Sequence, residues 1–445
     1  MPALEYGKGA YTRSRGNLPE LPVINMFVEQ SATDGIVMQS HKELSEIAEV
    51  GSGPIYDTLV KDGVFDGDRF TISRSGFYRG STLLGSVDGS GPGYIVASDT
   101  EVICGRGATA YSYNGTDFVA IDFPDGADVT KVAFTAGYFI YLRAGTDTWY
   151  FSAIGDGRDI DPLDFATAEN EPDALLDILV LDGSLVLFGT ESVEFWSPTG
   201  DADLPYTPIQ LRVFEQGIIA TGCAVAIDNS FYWIGNDRIT YRNGEVPEAV
   251  SDDGIVERSR ASTTHSLFLV TDERHKFIAQ RHDSNTMLFD ITTREWCERQ
   301  SCGRDNWRAV RGLGDDETGK IYELSGYGTS DGVFERRLRA GSRLNAVAII
   351  DNLRLTAEVG TTDYLTGDYA EPLIEMRSSN DAGNTWSIWE AVSLGSQGSY
   401  RERPEWRALG MFDDPGMLFE FRITAPVGFR LSAIEANAAG GGRSR

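Results

Sequence analysis

Residues 224–244 read AVAIDNSFYWIGNDRITYRNG: an apolar strand, an Asp-Asn turn, a second apolar strand, a Gly-Asn-Asp turn and a third strand closing on Tyr241. Phe231 and Trp233, then Ile239 and Tyr241, fall on alternate positions, as side chains on one face of a strand do. Gly235-Asn236-Asp237 between them has the chemistry of a tight turn. The same order recurs in 58–80, 94–115, 132–157, 178–200 and 267–296, and more faintly in 308–328. The aromatic that ends each copy, Tyr78, Tyr113, Tyr150, Phe195, Tyr241, Phe289 or Tyr322, returns after 33 to 48 residues.

One small antiparallel sheet has two faces to cover and cannot cover them alone. Stacking such sheets radially covers each face with the next sheet, and closing the ring leaves no long open edge. Turns at this spacing also suit a sandwich. The repeated unit is longer than a hairpin and keeps its internal order, however, which favours blades. Helical patterning is nearly absent. The expected fold is all-β, with a β-propeller of six or seven blades, seven preferred, over residues 51–335.

Residues 1–50 are expected to form an N-terminal extended arm with one strand around Val23–Val28, paired to something distant. Beyond Arg336 the repeat is lost. Separate strands LRLTAEV, LIEMRSS, TWSIWEAVSL, LFEFRITA and FRLSAIEA predict a C-terminal β-sandwich-like domain over 336–437, followed by a Gly-rich disordered tail, 438–445.

At 445 residues, 41% of them hydrophobic, the chain can build more than one core. Its opening, MPALEYGKGAYTRSRG, lacks the apolar run of a signal peptide, and no segment approaches a membrane span. The expectation is a soluble protein made in a cytosol, without membrane insertion. Cys104, Cys223, Cys297 and Cys302 have no CxxC spacing and read as reduced thiols. Net charge is -28, yet from Val333 onward 13 Arg and no Lys oppose 15 Asp/Glu, a balance of -2 that leaves -26 in residues 1–332. Such a field repels polyphosphate and argues against ordinary duplex binding.

Most apparent chemistry dissolves on inspection. Gly314–Lys320 imitates a phosphate-binding loop, but Ile321 stands where Ser or Thr would hold magnesium, and three acids in a row would repel phosphate. His275, His282, Cys297 and Cys302 match no closed zinc spacing. Asp156, Asp159, Asp161 and Asp164 could offer oxygens to calcium, a pattern that also arises by chance among 67 acids. No nucleophile elbow or HExxH occurs, so the expectation is no catalytic residue, no metal, no cofactor and no enzyme.

One motif is specific. Ser379-Asn380-Asp381-Ala382-Gly383-Asn384-Thr385-Trp386 fits S-x-D-x-G-x-T-W, the Asp-box of sialidases and other β proteins. Its chemistry is structural: Asp381 accepts N–H groups across a tight turn that Ser379 and Thr385 flank, Gly383 takes a positive dihedral and Trp386 packs beneath.

Several stretches taken together are similar to the packaged-DNA stabilisation proteins of short-tailed phages, the tail hub or nozzle subunits. They include LPVINMFVEQ near the start, VEFWSPTGDADLPYTPI and GIIATGCAVAIDNSFYWIGNDRITYRNGEVPEAVSDDGIVERS in the middle, MLFDITTREWCERQS and GKIYELSGYGTSDG downstream, and the segment from SSNDAGNTW to the last strand. The resemblance spans nearly the whole chain in order. It implies a homo-hexameric ring below the portal and adaptor that extends the DNA channel and retains packaged DNA. Its implied partners are the portal-adaptor protein, tail fibres or spikes, and a needle or plug. It places the protein in the virion tail, assembled in the host cytoplasm. DNA would slide past the acidic wall without specific binding. A ring needs two different patches to meet, and Arg401, Arg403 and Arg407 are the candidate subunit interface. The alternative is a glycan-binding or glycan-hydrolysing propeller, for which the Asp-box and exposed aromatics would speak.

Overall fold

The structure is a computed structural model that describes residues 5–6, 21–31, 35–168, 173–328, 332–344, 347–361, 367–413 and 416–438. Six four-stranded antiparallel units follow one another at 55–86, 94–120, 129–167, 175–214, 224–249 and 265–299. In each the first strand is innermost and the order along the sheet is the order along the chain. The seventh unit is built differently. A turn at Arg311–Leu313 takes the inner place, Lys320–Leu324 the next, and Leu44–Glu49 pairs outside it in antiparallel register, Leu324 opposite Leu44.

The inner strands pack in a closed circuit. Ile55–Leu59 touches Tyr94–Ala97, and so on round to His265–Asp272; the turn Arg311–Leu313 then meets both His265–Asp272 and Ile55–Leu59. The blades are seven, and the wheel is complete. Facing blades interlock through large rings, Phe77 on Phe118 at 5.4 Å, Trp149 on Trp196 at 5.4 Å, Phe188 on Phe231 at 5.5 Å and Tyr232 on Phe289 at 6.0 Å. The aromatics that close the first six copies lie on the third strand and Tyr322 on the strand beside the inner turn of blade 7; all but Tyr78 are buried, because neighbouring blades cover them. The described residues hold one α-helix, Asp253–Arg260, between blades 5 and 6, capped by the Asp252 carboxylate on the Ile255 N–H at 2.9 Å.

The described strands between residues 21 and 50 pair within the sandwich and the propeller. Met26–Ser31 and Gly35–Ser40 form a hairpin in a five-stranded sheet with Arg430–Ala438, Ala348–Ala357 and Glu405–Phe412. Leu44–Glu49 then belongs to blade 7. Ala438, expected as the first residue of the tail, ends a strand; residues 439–445 lie outside the described residues.

The second sandwich sheet runs Arg336–Arg343, Gly416–Ile423, Leu373–Ser379, Glu390–Ser393. Its inner row Leu338, Phe421 and Met376 is buried against Leu355, Phe429 and Leu431 of the other sheet. This sheet is continuous with blade 6, because Ile24 pairs in parallel with Glu298 and in antiparallel register with Arg337. Buried Arg299 and Arg336 lie over one ring, Phe334, at 5.0 and 5.4 Å, and Glu43 supplies negative charge to both. His41, beside Glu43, reaches Asp272 at 3.2 Å and the Cys297 sulfur at 3.4 Å, both on blade 6. Propeller and sandwich are thus joined by backbone and by buried charge.

Candidate functional site

The Asp-box hairpin forms as its residue types dictate. Asp381 accepts from the Thr385 N–H at 2.8 Å, the Thr385 hydroxyl at 2.6 Å and the Ser379 hydroxyl at 2.7 Å. These donors, the Thr385 hydroxyl foremost, hold its carboxyl down at about 2. The Ser379 oxygen also accepts from the Gly383 N–H at 2.8 Å, and both Ala382 and Gly383 have positive φ, 59° and 86°. Trp386 donates to the Gly383 carbonyl at 3.0 Å.

The hairpin lays two indoles on the outer face of the sheet. Arg377 lies over Trp386 and Trp389, 4.6 Å from each; Arg339 covers Trp386 at 5.1 Å and Arg422 covers Trp389 at 4.3 Å. Strand register makes Arg339, Glu420 and Arg377 one transverse row. Glu420, fully buried, receives Arg339 Nε at 2.9 Å and the Arg377 guanidinium. Arg401, Arg403 and Arg407 lie elsewhere, exposed at the sandwich end farthest from blade 6, with Arg407 3.3 Å from Glu405. The structure does not bring them together with the Asp-box.

A second constellation, absent from the sequence reading, occupies the propeller axis. Register shifts interrupt the inner strands of blades 1, 3 and 4 between Ile55 and Asp57, Val129 and Lys131, and Leu175 and Asp177. Such bulges re-aim the following side chain. Asp57, Lys131 and Asp177 converge there with Arg311 of blade 7, all three strand residues buried and Lys131 Nζ 3.6 Å from Asp177. Each aspartate also accepts an N–H of the next blade, Asp57 from Ile95 at 3.0 Å and Asp177 from Gly222 at 2.8 Å. Burial raises the Asp57 carboxyl and lowers the Lys131 ammonium. Paired charge gathers at the axis. A cavity of about 240 Å³ opens between the inner strands, lined by Tyr56, Pro92, Leu267, Phe268 and Arg311.

The signal for these charges is legible once known: an acid or lysine two places after the apolar residue that starts the strand, in IYDTL, VTKVA and LLDIL. Each sits just upstream of a copy quoted above.

The remaining sequence candidates are structural. Asp315 of the phosphate-loop mimic accepts from the N–H groups of Glu317 and Thr318 at 2.8 and 2.7 Å and from the Tyr322 hydroxyl at 2.6 Å, so its loop is an acid-stapled hairpin. His275 faces Asp290 at 2.8 Å and His282 faces Asn285 at 2.9 Å, at opposite ends of one strand. Asp156 and Asp161 accept from the N–H groups of Arg158 and Leu163, each two residues on. Among the described residues no group of three His, Cys, Asp or Glu is arranged to hold a metal ion. The exposed aromatics that a glycan site would use come down to Phe165, Tyr369 and Tyr400 among the described large side chains.

A family model described as the β-propeller of bacteriophage P22 Gp10 matches residues 8–243, and one for the β-sandwich of that protein matches 342–439. The chain belongs to the P22 Gp10 family. The tail hub protein gp10 of Salmonella phage P22 is 24% identical to this Gp10-family chain over 173 residues, covering 36% of this chain and 37% of that protein. The aligned stretch therefore spans little more than a third of its curated relative. Membership rests on both parts of the chain, the propeller and the sandwich. Solved structures with a similar fold include PorZ of Porphyromonas gingivalis, 12% identical over 70% of this chain and 45% of that one, with a TM-score of 0.39. Hsv2 of Kluyveromyces lactis is 8% identical over 63% and 97%, with a TM-score of 0.36. These scores add nothing to the strand pairings.

Proposed function

We propose that this Gp10-family chain is a wall subunit of the tail conduit, several copies closing a ring through which the phage genome leaves. The observation that carries the reading is the narrow axis. Asp57, Lys131, Asp177 and Arg311 converge there and the cavity between the inner strands is only about 240 Å³, too small for a DNA duplex, so a conduit needs several chains around a common centre. The net charge of -28, concentrated in the propeller, suits a wall past which DNA slides without adhering. Retention of the packaged genome then falls to a separate plug, and the portal-adaptor protein and the fibres or spikes are the neighbours of the ring. The role is mechanical, not enzymatic.

The test is the mass of the assembled species, with the purified adaptor present as template. A defined multiple of 48.7 kDa is expected. A single copy per complex at every concentration overturns the ring. Within the particle, lysines at exposed propeller acids are expected to slow genome release, and unchanged ejection kinetics would count against the acidic wall.

A further inference from the structure

The chain has two unlike ends. Blades 3 and 4 lie three and two steps round the wheel from blade 6, where the sandwich is attached, and so stand apart from it. In these two blades the loops between third and fourth strands, 152–164 and 199–205, leave on the same face of the wheel. Trp149 of blade 3 meets Trp196 and Tyr206 of blade 4 at 5.4 and 6.4 Å, which sets the two loops side by side. Together they expose Leu163 (82%), Ile154 (67%) and Leu204 (43%), large apolar side chains with nothing above them. Asp159, Asp161, Asp164, Asp201 and Asp203 belong to the same two loops, and Asp164 feels the charge of Asp159 and Asp161 in its own loop and of Asp203 across in the other. The one cation of these loops, Arg158, is turned inward to the Ser112 hydroxyl at 2.8 Å and the Asp117 carbonyl at 2.9 Å.

At the far edge of the sandwich the pattern is inverted. Glu390–Ser393 is the strand most distant from blade 6, and Trp406 Nε1 ties the edge strand Glu405–Phe412 to it through the Glu390 carbonyl at 2.8 Å. That end exposes Tyr400 (66%) together with Arg401, Arg403 and Arg407. Aromatic and arginine side chains are the types that anchor protein interfaces, and an acidic rim around apolar side chains is their electrostatic complement.

We propose that the Tyr400–Arg407 end of one copy docks on the Leu163–Leu204 corner of the next, a head-to-tail contact between copies of this chain. The contact rests on the ring reading above and names its two surfaces. It is heterologous, as ring closure requires, and it uses two separate patches, one on the propeller and one on the sandwich, so neither patch of a bound copy is blocked for the next.

Charge exchange tests it. One variant carries Arg401→Glu, Arg403→Glu and Arg407→Glu; the other carries Asp159→Lys, Asp161→Lys and Asp203→Lys. Each alone is expected to remain a single copy under conditions where the unaltered chain assembles. Mixed, they are expected to recover the assembled mass with the two variants alternating, which also proves both folded. If the unaltered chain assembles and either variant alone assembles equally well, or the mixture stays single, the surface pair is overturned while the ring stands. If the unaltered chain never assembles, the ring reading itself has failed.

Discussion

Lys131 has no freedom to be replaced. It sits between two buried carboxylates contributed by other blades, and removing one partner of such a set leaves charge in a dry site, at a cost of about 3–5 kcal/mol. Lys131→Met is expected to lower the urea midpoint accordingly, and an unchanged midpoint would mean that water reaches the axis. His41 and His282 are held by burial at about 4, against 6.5 for a free imidazole. Between those values the unfolded chain binds more protons than the folded one, so acidification destabilises, by about 1.4 kcal/mol per pH unit for each histidine. His275, raised by its hydrogen bond to Asp290, acts oppositely, with its stabilisation full below 6.5 and lost as pH rises through its folded value. Thermal scans from pH 7 to 5 are expected to show a falling midpoint, and the doubly substituted His41→Gln, His282→Gln chain a flatter one. Asp381→Ala is expected to abolish amide protection at Thr385, whose N–H it accepts, in hydrogen exchange and leave the blades untouched. The Asp-box could be read from sequence because donors and acceptor lie within eight residues. The axial charges could not, because Asp57, Lys131, Asp177 and Arg311 meet only once the wheel has closed.

Strand order, turn positions and the buried third strand follow from local alternation, and these were legible copy by copy. Blade 7 was legible only in part, for a reason visible in its pairing. Lys320–Leu324 finds its outer neighbour in Leu44–Glu49, far away in the chain, and no repeat signal can point there. The same holds for Val23–Ser31: an apolar stretch after two prolines announces a strand but not its partners, which lie in both the sandwich and blade 6. Deleting residues 1–50 is therefore expected to strip the outer strand of blade 7 and a hairpin of the sandwich together. The truncated chain should be aggregated or rapidly cleaved in limited proteolysis; a stable, soluble product would make the segment a dispensable arm after all.

At the scale of the molecule, one sheet crosses from blade 6 into the sandwich, and Arg299, Phe334, Arg336 and Glu43 fill the joint. Calorimetry is expected to give a single cooperative transition for both units, whereas two separated peaks would show that the joint yields first. The order of pairing also governs when a new chain can finish. The closing strand leaves the ribosome early, and the edge that receives it is made only after six other blades. At about 5–20 residues per second that interval lasts some tens of seconds. Throughout it Leu44–Glu49 stays unmated. Exchange of that strand between nascent siblings is the hazard, so production of this protein should depend on how well the host's chaperones shield half-made wheels.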